Sequence, residues 1–191
     1  ATSSGYGGIL PIQTSILPMV SSSSKKASLK LTGSLGNVMK ESIHVAITVA
    51  SHILNRNLED IPLHIHGTET AVPKDGPSAG LAITLGILSS VTQTPINQTI
   101  GITGEIDLAG DIKPIGGLHS KIQGARQAGI MTVIVPKQNE KDIRRLEKES
   151  PSIFQGISII FAENIREVTP IVFSKPLPSE GLLEDGHEDD L

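Results

Sequence analysis

A serine set among small residues at the start of an apolar run is the first place in this chain where residue type and spacing suit chemistry. In Pro73-Lys74-Asp75-Gly76-Pro77-Ser78-Ala79-Gly80, the residues Gly76, Ala79 and Gly80 leave the Ser78 hydroxyl uncrowded. The apolar stretch from Ser78 to Ser90 reads as a helix, whose first N–H groups and positive dipole end can hold an oxyanion. The same position also suits an ordinary N-cap, a role serine fills well. A nucleophilic serine needs a base, either His or an unprotonated Lys. Leu118, Lys121, Ala125 and Ala128 recur at three-four-three spacing, so Lys121 is expected in the stripe that faces the interior. Desolvation there disfavours the ammonium and lowers its pKa toward that of a working base. The competing reading buries only the stem and lets the amine reach water.

Other candidates are weaker. Thr103, in Ile102-Thr103-Gly104-Glu105, ends a predicted strand, where its hydroxyl could accept a hydrogen bond from the amine or simply begin a turn. His64 and His66 share one face of a predicted strand, but no third ligand follows and catalytic zinc wants three, so no metal is expected. His119 lies two residues before Lys121, and its helical phase turns it away from the Lys121 face. Neither a Gly-x-x-x-x-Gly-Lys-Ser/Thr loop nor a Gly-x-Gly-x-x-Gly fingerprint is present, so no nucleotide has a home in the sequence.

These residues must be held by a mixture of strands and helices. Period-two alternation predicts strands around Leu10, Ile12 and Ile16, around Leu29 and Leu31, around Leu63 and Ile65, and around Ile100 and Ile102. Met131 to Val135 and Ile157 to Phe161 are β-branched runs expected as strands buried on both faces. Ile106 to Ile112, with Gly110-Asp111 between two arms, reads as a hairpin. Apolar positions three and four apart predict helices over Val38 to Leu54, Ser78 to Ser90, Leu118 to Ala128 and Lys137 to Leu146. The sequence thus reads as one α+β domain over 1–175. Ser21 to Lys26 is an expected loop, and 176–191 an acidic C-terminal tail.

Composition removes several classes. The 191 residues carry 16 Lys and Arg against 20 Asp and Glu, a net charge of −4, which argues against binding nucleic acid by phosphate neutralisation. Zero cysteines exclude a disulfide framework, a thiolate nucleophile and thiolate metal sites. The longest apolar run, Gly80 to Leu88, falls short of the roughly 20 residues that a membrane-spanning helix needs. Tyr6, Phe154, Phe161 and Phe173 are the only aromatics, so the core is left to Ile, Leu, Val and Ala, and bases have little to stack on. Because the chain starts at Ala, it is expected to be processed or excised from something longer.

Taken together, Pro73-Lys-Asp-Gly-Pro-Ser78-Ala-Gly80, Thr103-Gly-Glu-Ile106 and Pro114-Ile-Gly-Gly-Leu118 with Lys121 resemble, in order and spacing, the proteolytic domain of Lon proteases. Gly7-Gly8-Ile9-Leu10-Pro11-Ile12, Thr32-Gly-Ser-Leu-Gly36 and Val38-Met-Lys-Glu-Ser42 extend the resemblance, which covers about residues 5–173. Gln13 stands where the family pattern often has an acidic residue, and the loop over Ser21 to Lys26 is longer than usual.

The resemblance implies a Lon-type domain of mixed short sheets packed with helices, with Ser78 as nucleophile and Lys121 as base of a serine–lysine dyad. Thr103 and His66 would lie near the dyad and Asp75 at its border. It further implies a serine endopeptidase for unfolded or damaged proteins that assembles as a homo-hexamer. ATP dependence would come from an AAA+ ATPase module, in cis or in trans, that carries ATP and Mg. The chain itself is expected to hold no cofactor and to contact neither membrane nor nucleic acid. The expected compartment is the cytoplasm, with the mitochondrial matrix or another organelle as alternative. A non-proteolytic regulatory or assembly domain on the same scaffold is the rival reading. Small-molecule kinase chemistry is a third, for which the phosphate-binding loop is missing.

Overall fold

Alternating burial builds the first sheet. The computed structural model describes residues 8–18 and 29–178; Gly7, the loop over Ser21 to Lys26 and the tail beyond Pro178 lie outside the described residues. β1 (Ile12–Ile16) runs antiparallel to β3 (Leu63–Gly67), while β2 (Lys30–Thr32) joins the other edge of β3 in parallel. Leu63 and Ile65 are buried and His64 and His66 take the opposite face, as a period of two requires. The second sheet is wholly parallel, with β4 (Ile100–Ile102) and β8 (Ser158–Ala162) flanking β7 (Thr132–Pro136). β5 (Glu105–Ile106) and β6 (Ile112–Lys113) form the expected hairpin. Its turn is Asp107 to Gly110, closed by the Gly110 N–H on the Asp107 carbonyl at 3.0 Å, two residues earlier than a turn centred on Gly110-Asp111.

Among the described residues five α-helices cover these strands: α1 (Asn37–Leu54), α2 (Gly80–Thr92), α3 (Leu118–Gln127), α4 (Glu140–Glu149) and α5 (Ile165–Val172). α1 buries Met39, Ile43, Ala46, Ile47, Ala50 and Leu54, a stripe at helical spacing, and packs it on α2. α2 is squeezed between α1 and β1 and is apolar nearly all round. β7 divides the interior in two. Ile134 faces the large core that contains α1 and α2, whereas Val133 and Val135 face a smaller cluster with Leu118, Ile122, Ala125, Ile143 and Ile153. None of the described helices is long and apolar enough to cross a membrane.

Several elements differ from their sequence-based expectation. α3 ends at Gln127 and Ala128 is exposed, so the inward stripe is Leu118, Ile122 and Ala125, with Lys121 half-buried at its flank. A 3-10 turn over Lys137–Asn139 precedes α4, which runs past Leu146 to Glu149. β8 was expected to be buried on both faces, but as an edge strand it leaves Ser158 exposed and Ile159, Ile160 and Phe161 half-buried. No helix was expected where α5 stands, and its interior Pro170 locally argues against one. The proline leaves the Arg166 carbonyl without its helical donor, and the Thr169 hydroxyl donates to it at 3.3 Å. Asn164 caps this helix by accepting the Arg166 N–H at 3.0 Å, and Ile165, Val168 and Val172 are buried. The chain stays packed as far as Leu177, which lies against the large core.

Candidate active site

Ser78 sits in a 3-10 turn, Pro77–Ala79, that leads into α2 rather than on α2 itself. Proline suits the first position of such a turn, and Gly76 before it takes φ +111°, a conformation that disfavours any side chain. The N-cap positions of the turn and of α2 are Gly76 and Ala79, and neither makes a side-chain cap bond. Ser78 therefore caps neither, which removes its commonest structural role. Its backbone is held from across the chain. The Gly104 N–H donates to the Ser78 carbonyl at 2.9 Å, and the Leu81 N–H donates to the Gly104 carbonyl at 3.1 Å. Gly104 thus brackets the serine with both of its peptide groups.

Thr103, next to Gly104, is 9% exposed and lies just beyond β4. Its N–H donates to the Ile134 carbonyl of β7 at 3.1 Å, which anchors it to the parallel sheet. The Thr103 hydroxyl donates to the Ser78 carbonyl at 3.4 Å and accepts a hydrogen bond from Lys121 Nζ at 3.3 Å. The amine reaches this hydroxyl from the end of the first turn of α3, and it does so half-buried. Burial alone holds its pKa below the usual lysine value, because it penalises the ammonium. Ser78, Thr103 and Lys121 thus converge from three separate elements. Among the described residues no hydrogen bond joins Ser78 Oγ directly to Lys121 Nζ.

Asp75 lies three residues before the serine and is exposed. Its Oδ1 accepts the Met39 N–H of α1 and the Gly76 N–H, each at 2.9 Å. These bonds, that to Met39 first, hold its carboxyl below the usual range. Gly36, the N-cap of α1, has no side chain to do this, and a Cβ there would collide with the Asp75 carboxyl carbon. His66 lies on β3, where its Nδ1 shares the Thr32 hydroxyl, at 2.8 Å, with His64 Nε2 at 2.9 Å. Gln13, Ser15, Thr32, His64 and His66 line a cleft of about 310 Å³ on that sheet. Among the described residues neither histidine hydrogen-bonds to Ser78, Thr103 or Lys121, and no group of three His, Asp or Glu is placed to hold a metal. His119 is exposed.

Residues 2–175 match the family model of the Lon protease (S16) C-terminal proteolytic domain. The chain belongs to this Lon family. It is 40% identical over 182 residues to Lon protease 2 of Herpetosiphon aurantiacus, covering 92% of this chain and 21% of that protein. The mitochondrial Lon protease homolog of Mus musculus is 38% identical over 185 residues, covering 92% of this chain and 19% of the mouse protein. The Lon protease of Haemophilus influenzae is 42% identical over 163 residues, 82% of this chain and 20% of that protein. The chain spans about a fifth of the length of these relatives.

In this Lon domain the backbone carbonyl of a half-buried serine and a desolvated amine share one anchored threonine. Such a set can pass a proton between the amine and a hydroxyl while backbone N–H groups face developing negative charge. The Gly104 bracket is not evident from the sequence, where Gly104 stands as the residue after Thr103 and as part of the segment Thr103-Gly-Glu-Ile106. Its signal is steric: a Cβ on Gly104 would lie 2.7 Å from Ile112 Cγ2, so only glycine lets this strand end close on the Ser78 turn.

Proposed function

We propose that the chain is a serine endopeptidase whose Ser78 and Lys121 act as nucleophile and general base. The observation that carries this reading is the Lys121–Thr103–Ser78 convergence, with an amine whose pKa burial depresses and a serine that serves no cap. Neutral Lys121 takes the Ser78 proton as Oγ attacks the peptide carbonyl, and the oxyanion meets N–H groups at the start of the 3-10 turn and α2. The resulting ammonium gives its proton to the leaving amine. Water, deprotonated by the neutral amine, then hydrolyses the acyl-enzyme and restores Ser78. Thr103 would orient the amine, and Asp75 would tie the loop before Ser78 to α1. His66 would line the approach to the dyad from the neighbouring sheet.

The substrates proposed are unfolded or damaged polypeptides, delivered by an AAA+ ATPase module in cis or in trans, with the domain working as a ring of six. ATP and Mg would belong to that module. The compartment proposed is the bacterial cytoplasm or the mitochondrial matrix, in keeping with relatives named from bacteria and as a mitochondrial form. A serine-directed phosphonate probe tests the chemistry. Labelling confined to Ser78, lost in Ser78→Ala together with peptide cleavage while circular dichroism is unchanged, is the expected result. Cleavage by folded Ser78→Ala near the unmodified rate would overturn the assignment and leave a non-catalytic domain on this scaffold.

A further inference from the structure

Asn139 is 3% exposed and stands at the amino end of α4, the place from which asparagine ordinarily caps its own helix. It makes no such bond. Its side chain crosses instead to Ile115, 24 positions away. Oδ1 accepts the Ile115 N–H at 2.9 Å, and Nδ2 donates to the Ile115 carbonyl at 3.1 Å. The other Nδ2 proton goes to Asp142 Oδ2 at 3.2 Å. A carboxylate only accepts, so Asp142 decides which end of the amide carries nitrogen. The amide satisfies both polar groups of one backbone residue, as a neighbouring strand would, at a place where no strand runs.

Ile115 lies in the loop between β6 and α3 and packs against the smaller apolar cluster. Two residues later Gly117, at φ +69°, starts α3, and its carbonyl accepts the Lys121 N–H at 3.0 Å. A continuous path therefore runs from the Asn139 amide through the Ile115 peptide and the Gly117 carbonyl to the backbone of Lys121. Among the described residues α4 makes no hydrogen bond to Ser78, Thr103 or Lys121. We infer that Asn139 is a positioning residue for the proteolytic reaction, holding the start of α3 so that Lys121 meets Thr103 beside Ser78. This inference rests on the serine–lysine reading above.

Without the amide, the Ile115 N–H and carbonyl must turn toward water, and the first turn of α3 moves with them. Lys121 would then be less well aligned and better solvated. Burial is the cause of its lowered pKa; the ionisable groups on the neighbouring segments are His119 and Arg126 on α3, Glu140, Lys141 and Asp142 on α4, and Lys74 and Asp75 before Ser78. Better solvation therefore raises the pKa, and the alkaline rise of activity moves to higher pH.

The experiment compares peptide hydrolysis by the full chain across pH for the unmodified protein and for Asn139→Ala, Asn139→Ser, Asp142→Ala and Lys121→Ala. Folding is checked by circular dichroism at each pH. Asn139→Ala is expected to lower kcat by about 10-fold or more, within the roughly 10²-fold that a 1 Å displacement can cost, with KM nearly unchanged. It should also move the rising limb upward in pH. Asn139→Ser, which keeps one hydrogen-bonding group, should fall between, and Asp142→Ala, which leaves both Ile115 bonds in place, should stay within about twofold of the unmodified kcat. A folded Asn139 variant with unchanged kcat and unchanged limb, beside an inactive Lys121→Ala, overturns the inference alone. An active Lys121→Ala overturns the dyad reading instead. Failure of both Asn139 variants to fold would make the residue a general requirement of the fold and would also overturn the specific role.

Discussion

Thr103 is the side chain through which Lys121 meets the Ser78 backbone, and the 3.3 and 3.4 Å contacts are long for hydrogen bonds. Catalytic contacts in ligand-free sites are often loose and tighten around substrate. The half-buried amine is the costly part of this arrangement. Below its depressed pKa both folded and unfolded chains hold the proton, so the folded state bears the full penalty of an ammonium away from water. Between that value and the ordinary lysine value only the unfolded state keeps the proton, so stability rises with pH and the penalty vanishes above the window. Lys121→Met should therefore be inactive yet more stable at neutral pH, by about 0.5–2 kcal/mol, and the advantage should shrink at strongly alkaline pH. Denaturant melts at neutral and alkaline pH would check this, and a less stable Lys121→Met at neutral pH would refute it. Lys121→Arg, which cannot deprotonate in the working range, should lose nearly all peptide cleavage.

Two long-range joints hold the turn that carries Ser78. Asp75 clips the loop before it to the amino end of α1. Its pKa is depressed, so its contribution is present above the usual carboxylate value and disappears as pH falls through the lower, folded value. Asp75→Ala should lower Tm at neutral pH, and the gap from the unmodified chain should close as pH falls below about 4. A gap that stays constant down to low pH would rule out the cap. Gly104 holds the turn from the other side. Gly104→Ala would place its Cβ 2.7 Å from Ile112 Cγ2 and 3.5 Å from Leu81 Cδ2, an overpacking worth roughly 1–3 kcal/mol. Because the Gly104 peptide groups hold Ser78 and Leu81, kcat should fall further than the lost stability explains. Paired Tm and kcat measurements on the folded variant separate the two effects.

No phosphate-binding loop occurs in these 191 residues, and the match to longer relatives covers only about a fifth of each. Unfolding a stable substrate requires work against about 5–15 kcal/mol, which in the function proposed above falls to the AAA+ ATPase module. Purified alone, it should cleave short or unstructured peptides slowly, spare stably folded proteins and ignore added ATP. If six copies complete the working site, specific activity should rise with protein concentration, since assembly follows mass action. A fluorogenic peptide, an unfolded protein and a folded one, each with and without nucleotide, provide the assay. ATP-stimulated loss of the folded protein would place the motor within this chain.

Helices α1, α2 and α3 and strands β1, β3 and β7 were legible from periodicity, because which face of an element is apolar is a local property of its residues. The types of Ser78, Thr103 and Lys121, and the order of the segments around them, were legible too. The 3-10 geometry at Ser78 was not, and neither was α5, whose Pro170 speaks locally against a helix that buried Ile165, Val168 and Val172 nonetheless secure. The Lys121–Thr103, Asp75–Met39 and Asn139–Ile115 hydrogen bonds span 18, 36 and 24 positions. Each depends on where packed elements bring two distant segments, to within a few tenths of an ångström. Residue type and spacing could name the groups able to react; only the packing of α3 against β7 and of α1 against α2 decided which of them meet.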